Sequence, residues 1–234
     1  LFLVTPQPAL AGSCVWTGAS TAWTDAGNWT ACAGLSPQSA DTATINSGGN
    51  QPTIGSDITI SELTINSGAT LTISSGTLTV SGNIDLKADG GATTTLNNSG
   101  TLTQTSGTMT LSRPGGTGAA NINLSGAGTW NINNLTTGST NTNYNLADGA
   151  TYNIAGDITR DGGTLVSGTS TVVMTGSGKQ LKGGNAHTYY NLTISVGASV
   201  TNPAGAIGNV TIGKDLTVAG TFTQDAARTT TFSF

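Results

Sequence analysis

The chain has 234 residues, of which only 8% are charged, and its formal net charge is −4, whereas an average soluble domain is roughly 25% charged. Its seven Lys and Arg residues are scattered from Lys87 to Arg228, so no basic cluster could neutralise a run of phosphates, and we exclude nucleic acid as a partner. The longest apolar run, residues 1–4, is far shorter than the roughly 20 residues of a membrane-spanning helix, and we predict no membrane span.

The first eleven residues, LFLVTPQPALA, are similar to the end of a secretory signal. Small residues at positions 9 and 11 follow an apolar run, which is the pattern that signal peptidase reads. We therefore expect a secreted, extracellular or cell-surface protein. Leu1, Phe2, Leu3 and Val4 also predict an extended apolar N-terminal arm over residues 1–11, suited to join a neighbouring subunit's sheet or fill its groove.

Residues 12–40 form a distinct segment, because they hold both cysteines and three of the four tryptophans, Trp16, Trp23 and Trp29. In an exported chain we predict a disulfide between Cys14 and Cys32, with two free buried thiols as the alternative. The clustered tryptophans favour a local core that caps one end of a repeat array. The alternative function of the three indoles is carbohydrate stacking, which would make them a candidate glycan site.

From residue 41 to residue 234 a short unit recurs, in which an apolar, polar, apolar triplet precedes a Gly, Ser or Asn turn. It occurs at residues 63–65, 71–73, 78–80, 84–86, 192–194, 210–212 and 216–218. Such alternation predicts short strands with one buried face. Three strands use about 21 residues, which fits one coil of a three-sided solenoid. We therefore predict an all-β parallel β-helix of about nine coils, with a β-sandwich as the alternative.

Two parts of this region interrupt the regular pattern. Both lie in the less regular residues 112–143: RPGG at residues 113–116, and a run rich in Gly, Thr and Asn around residues 136–143. We interpret these two stretches as loops that project from the rod. Thr-x-Thr pairs recur along the chain and resemble the ice-binding faces of some antifreeze proteins. Because their spacing varies between six and eight residues, we expect them not to align on one face at every coil.

The repeated units resemble the β-strand repeats of bacterial secreted proteins and autotransporter passengers. The resemblance rests on LTISSG at residues 71–76 and TLTVSG at residues 77–82. VWTG at residues 15–18, followed by Asn28 and Trp29, is similar to the start of such repeat regions. The resemblance implies an exported β-solenoid surface protein and does not imply one particular activity.

Catalytic groups are sparse, and we predict no enzyme, no cofactor and no metal site. Most acidic residues fall at predicted turns, where an Asp side chain caps backbone groups: Asp57, Asp85, Asp89, Asp148, Asp157, Asp161, Asp215 and Asp225. The cluster of Asp157, Arg160 and Asp161 is interpreted as a solvated corner. His187 has no nucleophile pattern nearby and is interpreted as a loop histidine packed beside tyrosines.

The last predicted strands run to the final residue, and Phe222, Phe232 and Phe234 lie within them. An open solenoid ends in unpaired strand edges that attract another chain. With the apolar residues 1–4, these phenylalanines are the candidate subunit interface. We therefore expect a non-enzymatic subunit of an extracellular filament that polymerises head to tail with itself, by β-stacking or strand donation. The alternative is a cell-surface adhesin or glycan-binding module, with a polysaccharide-degrading enzyme as a third hypothesis.

Overall fold

The protein is built almost entirely from short parallel strands. The computed structural model describes residues 11–203 and 208–233. One 3-10 helix, Ala26–Asn28, lies among the strands. The strands are β1 (Ser13–Trp16), β2 (Trp29–Thr30), β3 (Thr42–Ile45), β4 (Thr53–Ile54), β5 (Ile58–Ile60), β6 (Glu62–Ile65), β7 (Thr70–Ile73), β8 (Thr77–Val80), β9 (Ile84–Lys87), β10 (Thr93–Asn98), β11 (Thr101–Gln104), β12 (Thr108–Ser112), β13 (Ala120–Ser125), β14 (Thr129–Ile132), β15 (Asn134–Thr137), β16 (Thr142–Leu146), β17 (Thr151–Ile154), β18 (Ile158–Arg160), β19 (Thr164–Val166), β20 (Thr171–Met174), β21 (Lys179–Lys182), β22 (His187–Ile194), β23 (Ser199–Asn202), β24 (Val210–Val218), β25 (Thr221–Gln224) and β26 (Thr230–Phe232).

The strands form three sheets, and successive strands of the chain pass from one sheet to the next. The first sheet has the order β2-β1-β3-β6-β9-β12-β15-β18-β21-β23-β25. The second is β4-β7-β10-β13-β16-β19, and the third runs from β5 through every third strand to β20 and then to β22, β24 and β26. This confirms the predicted parallel β-helix over the β-sandwich. It has about eight turns rather than nine.

Alternating burial along each strand follows the triplet pattern. Leu78 and Val80 are fully buried, whereas Thr79 between them is half-buried. Each inward side chain stacks on its counterpart one coil away, as Leu96 does on Leu71 and on Leu124. These apolar ladders form one continuous core, and burying them is the main favourable term in the stability of the fold.

Within residues 112–143, the predicted loops at residues 113–116 and 138–141 lie between strands, whereas residues 136–137 and 142–143 of the second predicted loop belong to strands. β13, β14 and β15 lie in the same range and pair in parallel with their neighbours. Asparagine has low intrinsic strand preference, but Asn143 donates its side-chain amide to Asn121 Oδ1 at 3.1 Å on the neighbouring coil. This ladder of side-chain hydrogen bonds compensates for the weak preference.

Acidic side chains at the corners connect one coil to the next. Asp57 Oδ1 accepts the Thr77 backbone N–H at 2.9 Å, and Asp148 Oδ1 accepts the Thr169 N–H at 2.8 Å. The prediction that Asp residues cap backbone groups at turns is confirmed at these positions. Asp85 and Asp215 are exceptions, because they lie within β9 and β24.

Candidate functional site

The N-terminal end of the solenoid is closed by residues 11–40. β1 pairs in parallel with β3 and so belongs to the first sheet, whereas the two-residue β2 pairs antiparallel with β1 at the outer edge. A disulfide joins Cys14 to Cys32, as predicted. Asp41 lies within 4.8 Å of both sulfur atoms, but sulfurs joined in a disulfide are not thiolate ligands, so this cluster is not a metal site.

The three tryptophans of this segment form a small aromatic core. Trp29 makes edge-to-face contacts with Trp16 and Trp23, with ring centroids 5.0 Å and 4.7 Å apart. Trp16 is 4% exposed, Trp23 is 1% exposed and Trp29 is 6% exposed. A sugar stacks on an open ring face, so these indoles cannot act as the glycan platforms that the sequence suggested. A glycan-binding function would need other residues.

The closure of the N-terminal end is uneven across the three sheets. The edge of β4 is covered, because Trp23 N–H donates to Thr53 O at 3.2 Å and Thr53 N–H donates to Thr21 O at 2.7 Å. Within residues 11–203, no backbone hydrogen bond joins β5 to the closing segment. A groove of about 380 Å³ lies beside β5, lined by Thr24, residues 36–39 and residues 57–59. The first strand of the third sheet therefore keeps an accessible edge.

At the opposite, C-terminal end of the solenoid, the columns of stacked core side chains become exposed to solvent. Ile194 is fully buried, but Val218, which continues the same column one coil later, is 46% exposed. Ile212 is fully buried and Phe232, its successor, is also 46% exposed. Of the described strands, β25 and β26 are the last of the first and third sheets. This end presents apolar side chains beside strand edges.

The predicted interface residues fall partly within this end. Phe222 is partly buried against the core and Phe232 is exposed. Leu1, Phe2, Leu3, Val4 and Phe234 lie outside the described residues. Val218 and the partly buried Leu216 also lie at this end, although the sequence analysis did not name them as interface residues. Their triplet pattern is the same as that of core strands, so only the stacking order distinguishes them.

Threonine side chains align along the outer surface of the third sheet. Thr101 pairs with Thr77 and with Thr129, and the same row continues to Thr151 and Thr171. The prediction that the Thr-x-Thr pairs do not align at every coil is confirmed on this sheet, because only the pairs 77/79 and 101/103 stack on each other. A single row of threonines aligns over several coils nevertheless, because the corners absorb the differences in length. The neighbouring row begins with threonines at Thr79 and Thr103 but continues with asparagines at Asn131 and Asn153.

A cluster of buried polar groups lies near the C-terminal half. Arg160 is 3% exposed, so the predicted solvated corner was wrong for this residue, and Asp157 instead pairs with Lys182 at 2.6 Å. His187 is fully buried at the start of β22 rather than in a loop, and its Nδ1 lies 2.9 Å from the Tyr189 hydroxyl. Burial, and then the charge of Arg160, lower the pKa of His187 to about 4, while burial raises the pKa of Tyr189.

These groups do not form a catalytic constellation of a kind that we recognise. His187 contacts a tyrosine and the Lys182 carbonyl, which lies 3.1 Å from Nε2. Neither partner is a Ser or Cys nucleophile or an orienting carboxylate, the groups that a histidine base serves or relies on. That the protein is not an enzyme stays a prediction. Among the described residues, no helix is long and apolar enough to cross a membrane.

Part of the chain is similar to a known family. Residues 15–125 match a Domain of unknown function (DUF8693). The match covers slightly less than half of the chain and includes the tryptophan core, the disulfide residue Cys32 and the first coils of the solenoid. No curated protein and no solved structure shows significant similarity.

Proposed function

We propose that the protein is a secreted structural subunit that assembles head to tail into an extracellular filament. The observation that carries this proposal is the exposed end of the core columns at Val218 and Phe232, next to the outermost strands β25 and β26. Apolar side chains beside a strand edge favour addition of another strand.

The two ends of the solenoid differ in a way that favours a head-to-tail contact. The first sheet is blunted by the short antiparallel β2, and β4 is hydrogen-bonded to residues 21–23, but β5 borders an open groove. β26 belongs to the same sheet as β5. Within that sheet, the columns that begin at β5 lead to residues 216–218 of β24, whereas β26 stacks on residues 210–212. Stacking residues 216–218 of one subunit on β5 of the next would therefore continue the parallel ladder of the third sheet. Such a contact joins two different surfaces, so it propagates without closing.

Secretion is part of the same proposal. The Cys14–Cys32 disulfide is compatible with an oxidising compartment. The resemblance of the repeat units to bacterial secreted proteins and autotransporter passengers supports a surface or extracellular location.

Two lysine substitutions at opposite ends test the assembly. Val218→Lys places a charge at the C-terminal end, and Thr59→Lys places one on the exposed position of β5. Lysine on an edge strand opposes strand addition. We expect the full chain to form filaments in negative-stain images and each variant alone to remain monomeric. The matched control is Val196→Lys, because Val196 is 83% exposed in a side turn of the solenoid.

Mixing the two blocked variants gives a sharper result. Each retains one intact end, so a head-to-tail contact predicts dimers, and nothing larger, when Val218→Lys and Thr59→Lys subunits are combined. Light scattering after size-exclusion chromatography measures the mass. A mixture that stays monomeric, or filaments formed by either variant alone, would count against the proposed contact.

A second candidate function is binding to a regular lattice such as ice, favoured by the aligned threonine row of the third sheet. Neighbouring coils are about 4.8 Å apart, so Thr77, Thr101 and Thr129 present hydroxyl groups at a constant repeat. Thermal hysteresis measurements test this function. Thr101→Lys should abolish the activity and Thr136→Lys, on the first sheet, should preserve it. Absence of hysteresis in the unmodified chain rejects it.

A further inference from the structure

Arg160 occupies a core position that is not charged in the preceding coils. It pairs in register with Thr137, which pairs with Leu111, and all three residues are buried. Strand β18, which carries Arg160, belongs to the first sheet, and the next strand, β19, is the last of the second sheet. The guanidinium therefore lies at the last coil to which the second sheet contributes a strand.

The charge of Arg160 has no acidic partner within the described residues. One Nη donates to the Ala186 carbonyl and the other donates to the Gly163 carbonyl at 3.1 Å, while the buried Nε has no hydrogen-bond acceptor. Asp157, three residues before Arg160 in the chain, forms an ion pair with Lys182. Buried charges in proteins are normally paired, so a small anion would compensate the charge of this guanidinium.

Arg160 is one of the residues that line a small cavity. Its volume is about 220 Å³, and its lining includes Arg160, Gly163, Thr164, Asn185 and Thr188. Two hydroxyl groups and a side-chain amide can donate hydrogen bonds there. A guanidinium provides only donors, in a planar fork that matches the oxygens of carboxylate or phosphate groups.

We propose that this cavity binds a small oxyanion, with Arg160 as its main ligand. The anion compensates the buried charge, and Thr164 and Thr188 at the rim offer hydroxyl donors to it. The oxyanion is either a free inorganic ion or the acid group of a sugar, since both present the same oxygen geometry. This site is independent of the filament contact, because it does not involve β5, β26 or Val218.

Titration of the isotopically labelled full chain with sodium phosphate, at ionic strength held constant with sodium chloride, tests the proposal. We expect the backbone amide signals of Gly163, Thr164 and Thr188 to shift and saturate in the millimolar range. Arg160→Gln should remove saturation. Arg113→Gln is the matched control, because Arg113 also donates to loop carbonyls, at Gly115 and Gly118, but lies in an exposed loop. It should behave like the unmodified chain.

A parallel titration with sodium glucuronate separates the two sources of the oxyanion. Saturation with phosphate alone indicates an inorganic ion, whereas tighter saturation with glucuronate indicates an acidic sugar, and both support the site. If Arg160→Gln does not fold, Thr188→Val replaces it, since Thr188 is exposed, and we expect weaker saturation. Linear shifts without saturation, or equal saturation in the Arg160→Gln or Thr188→Val variant, would overturn the proposal.

Discussion

His187 accepts a hydrogen bond from Tyr189 inside the solenoid, with Nδ1 and the hydroxyl oxygen 2.9 Å apart. The direction of this hydrogen bond follows from the proton on the other ring nitrogen. Nε2 lies 3.1 Å from the Lys182 carbonyl, which can only accept, so Nε2 carries the proton and Nδ1 has a free lone pair. Burial favours the neutral imidazole by lowering the pKa of His187, so Nε2 carries its single proton and both ring nitrogens are satisfied.

This arrangement predicts a loss of stability in mild acid. The pKa of His187 is lowered from 6.5 to about 4 by burial and by the nearby charge of Arg160, against the effect of the Lys182 carbonyl. Between these values the unfolded chain binds a proton that the folded chain does not. The free energy of unfolding should therefore fall as the pH drops from about 6.5 to about 4, by up to roughly 3 kcal/mol. Urea denaturation at a series of pH values measures it.

The variant His187→Gln should remove this pH dependence, because the chain has a single histidine. The ion pair of Asp157 with Lys182 does not produce the same effect. The pKa of Asp157 is lowered, although burial alone acts in the opposite direction, so its contribution is lost only as the pH falls below about 4. Equal slopes between pH 4 and pH 6.5 in His187→Gln and in the unmodified chain would contradict the assignment to His187.

The disulfide should contribute measurably to stability. It joins residues 18 positions apart, and the chain-entropy model gives about 3 kcal/mol for a loop of this size. We expect a reductant to lower the denaturation midpoint of the unmodified chain. The double variant Cys14→Ser with Cys32→Ser should start at the lower midpoint and should not respond to the reductant. A response of that variant would show that the effect of the reductant is not on this bond.

The apolar triplets and the cysteine pair could be predicted because their signals are local. Leu78 and Val80 alternate with threonine within a few residues, and that pattern alone identifies a buried strand face. The disulfide followed from two cysteines in a short segment of a chain that resembles exported proteins. In both cases the physical cause acts within one strand or one loop.

Features that depend on the stacking of coils could not be predicted. Asn121 and Asn143 lower the local preference for strand, and their mutual hydrogen bond becomes visible only when the register of β13 and β16 is known. The burial of Arg160 could not be predicted for the same reason, since its flanking aspartates at 157 and 161 suggest a solvated corner. Only its pairing with Thr137 places it in the core.

The asparagine ladder should show a favourable coupling energy between coils. Asn145 donates its side-chain amide to Asn123 Oδ1 at 2.7 Å. Asn145→Ala should lower the free energy of unfolding by about 1 kcal/mol. A double-mutant cycle with Asn123→Ala should give a coupling of about 0.2–1 kcal/mol, as measured for cross-strand pairs. Additive effects of the two substitutions would show that the hydrogen bond does not stabilise the stack.

Close packing between turns predicts that alanine substitutions at two glycines differ strongly in their effect on the free energy of unfolding. Gly126 lies between β13 and β14 with a φ of 93°, and a Cβ added there would lie 2.2 Å from the Asn98 carbonyl oxygen. Gly126→Ala must therefore shift the backbone of the neighbouring coil or change φ. We expect it to lower the free energy of unfolding by more than about 1 kcal/mol in urea denaturation.

Gly138 provides the matched control, because a Cβ added at this position meets no atom within 4 Å. Gly138→Ala should leave stability unchanged or raise it by up to about 1 kcal/mol, since alanine restricts the unfolded chain. The comparison separates backbone crowding from the general effect of replacing glycine. If both variants are equally stable, the turns of neighbouring coils are not in the close contact that places Gly126 against Asn98.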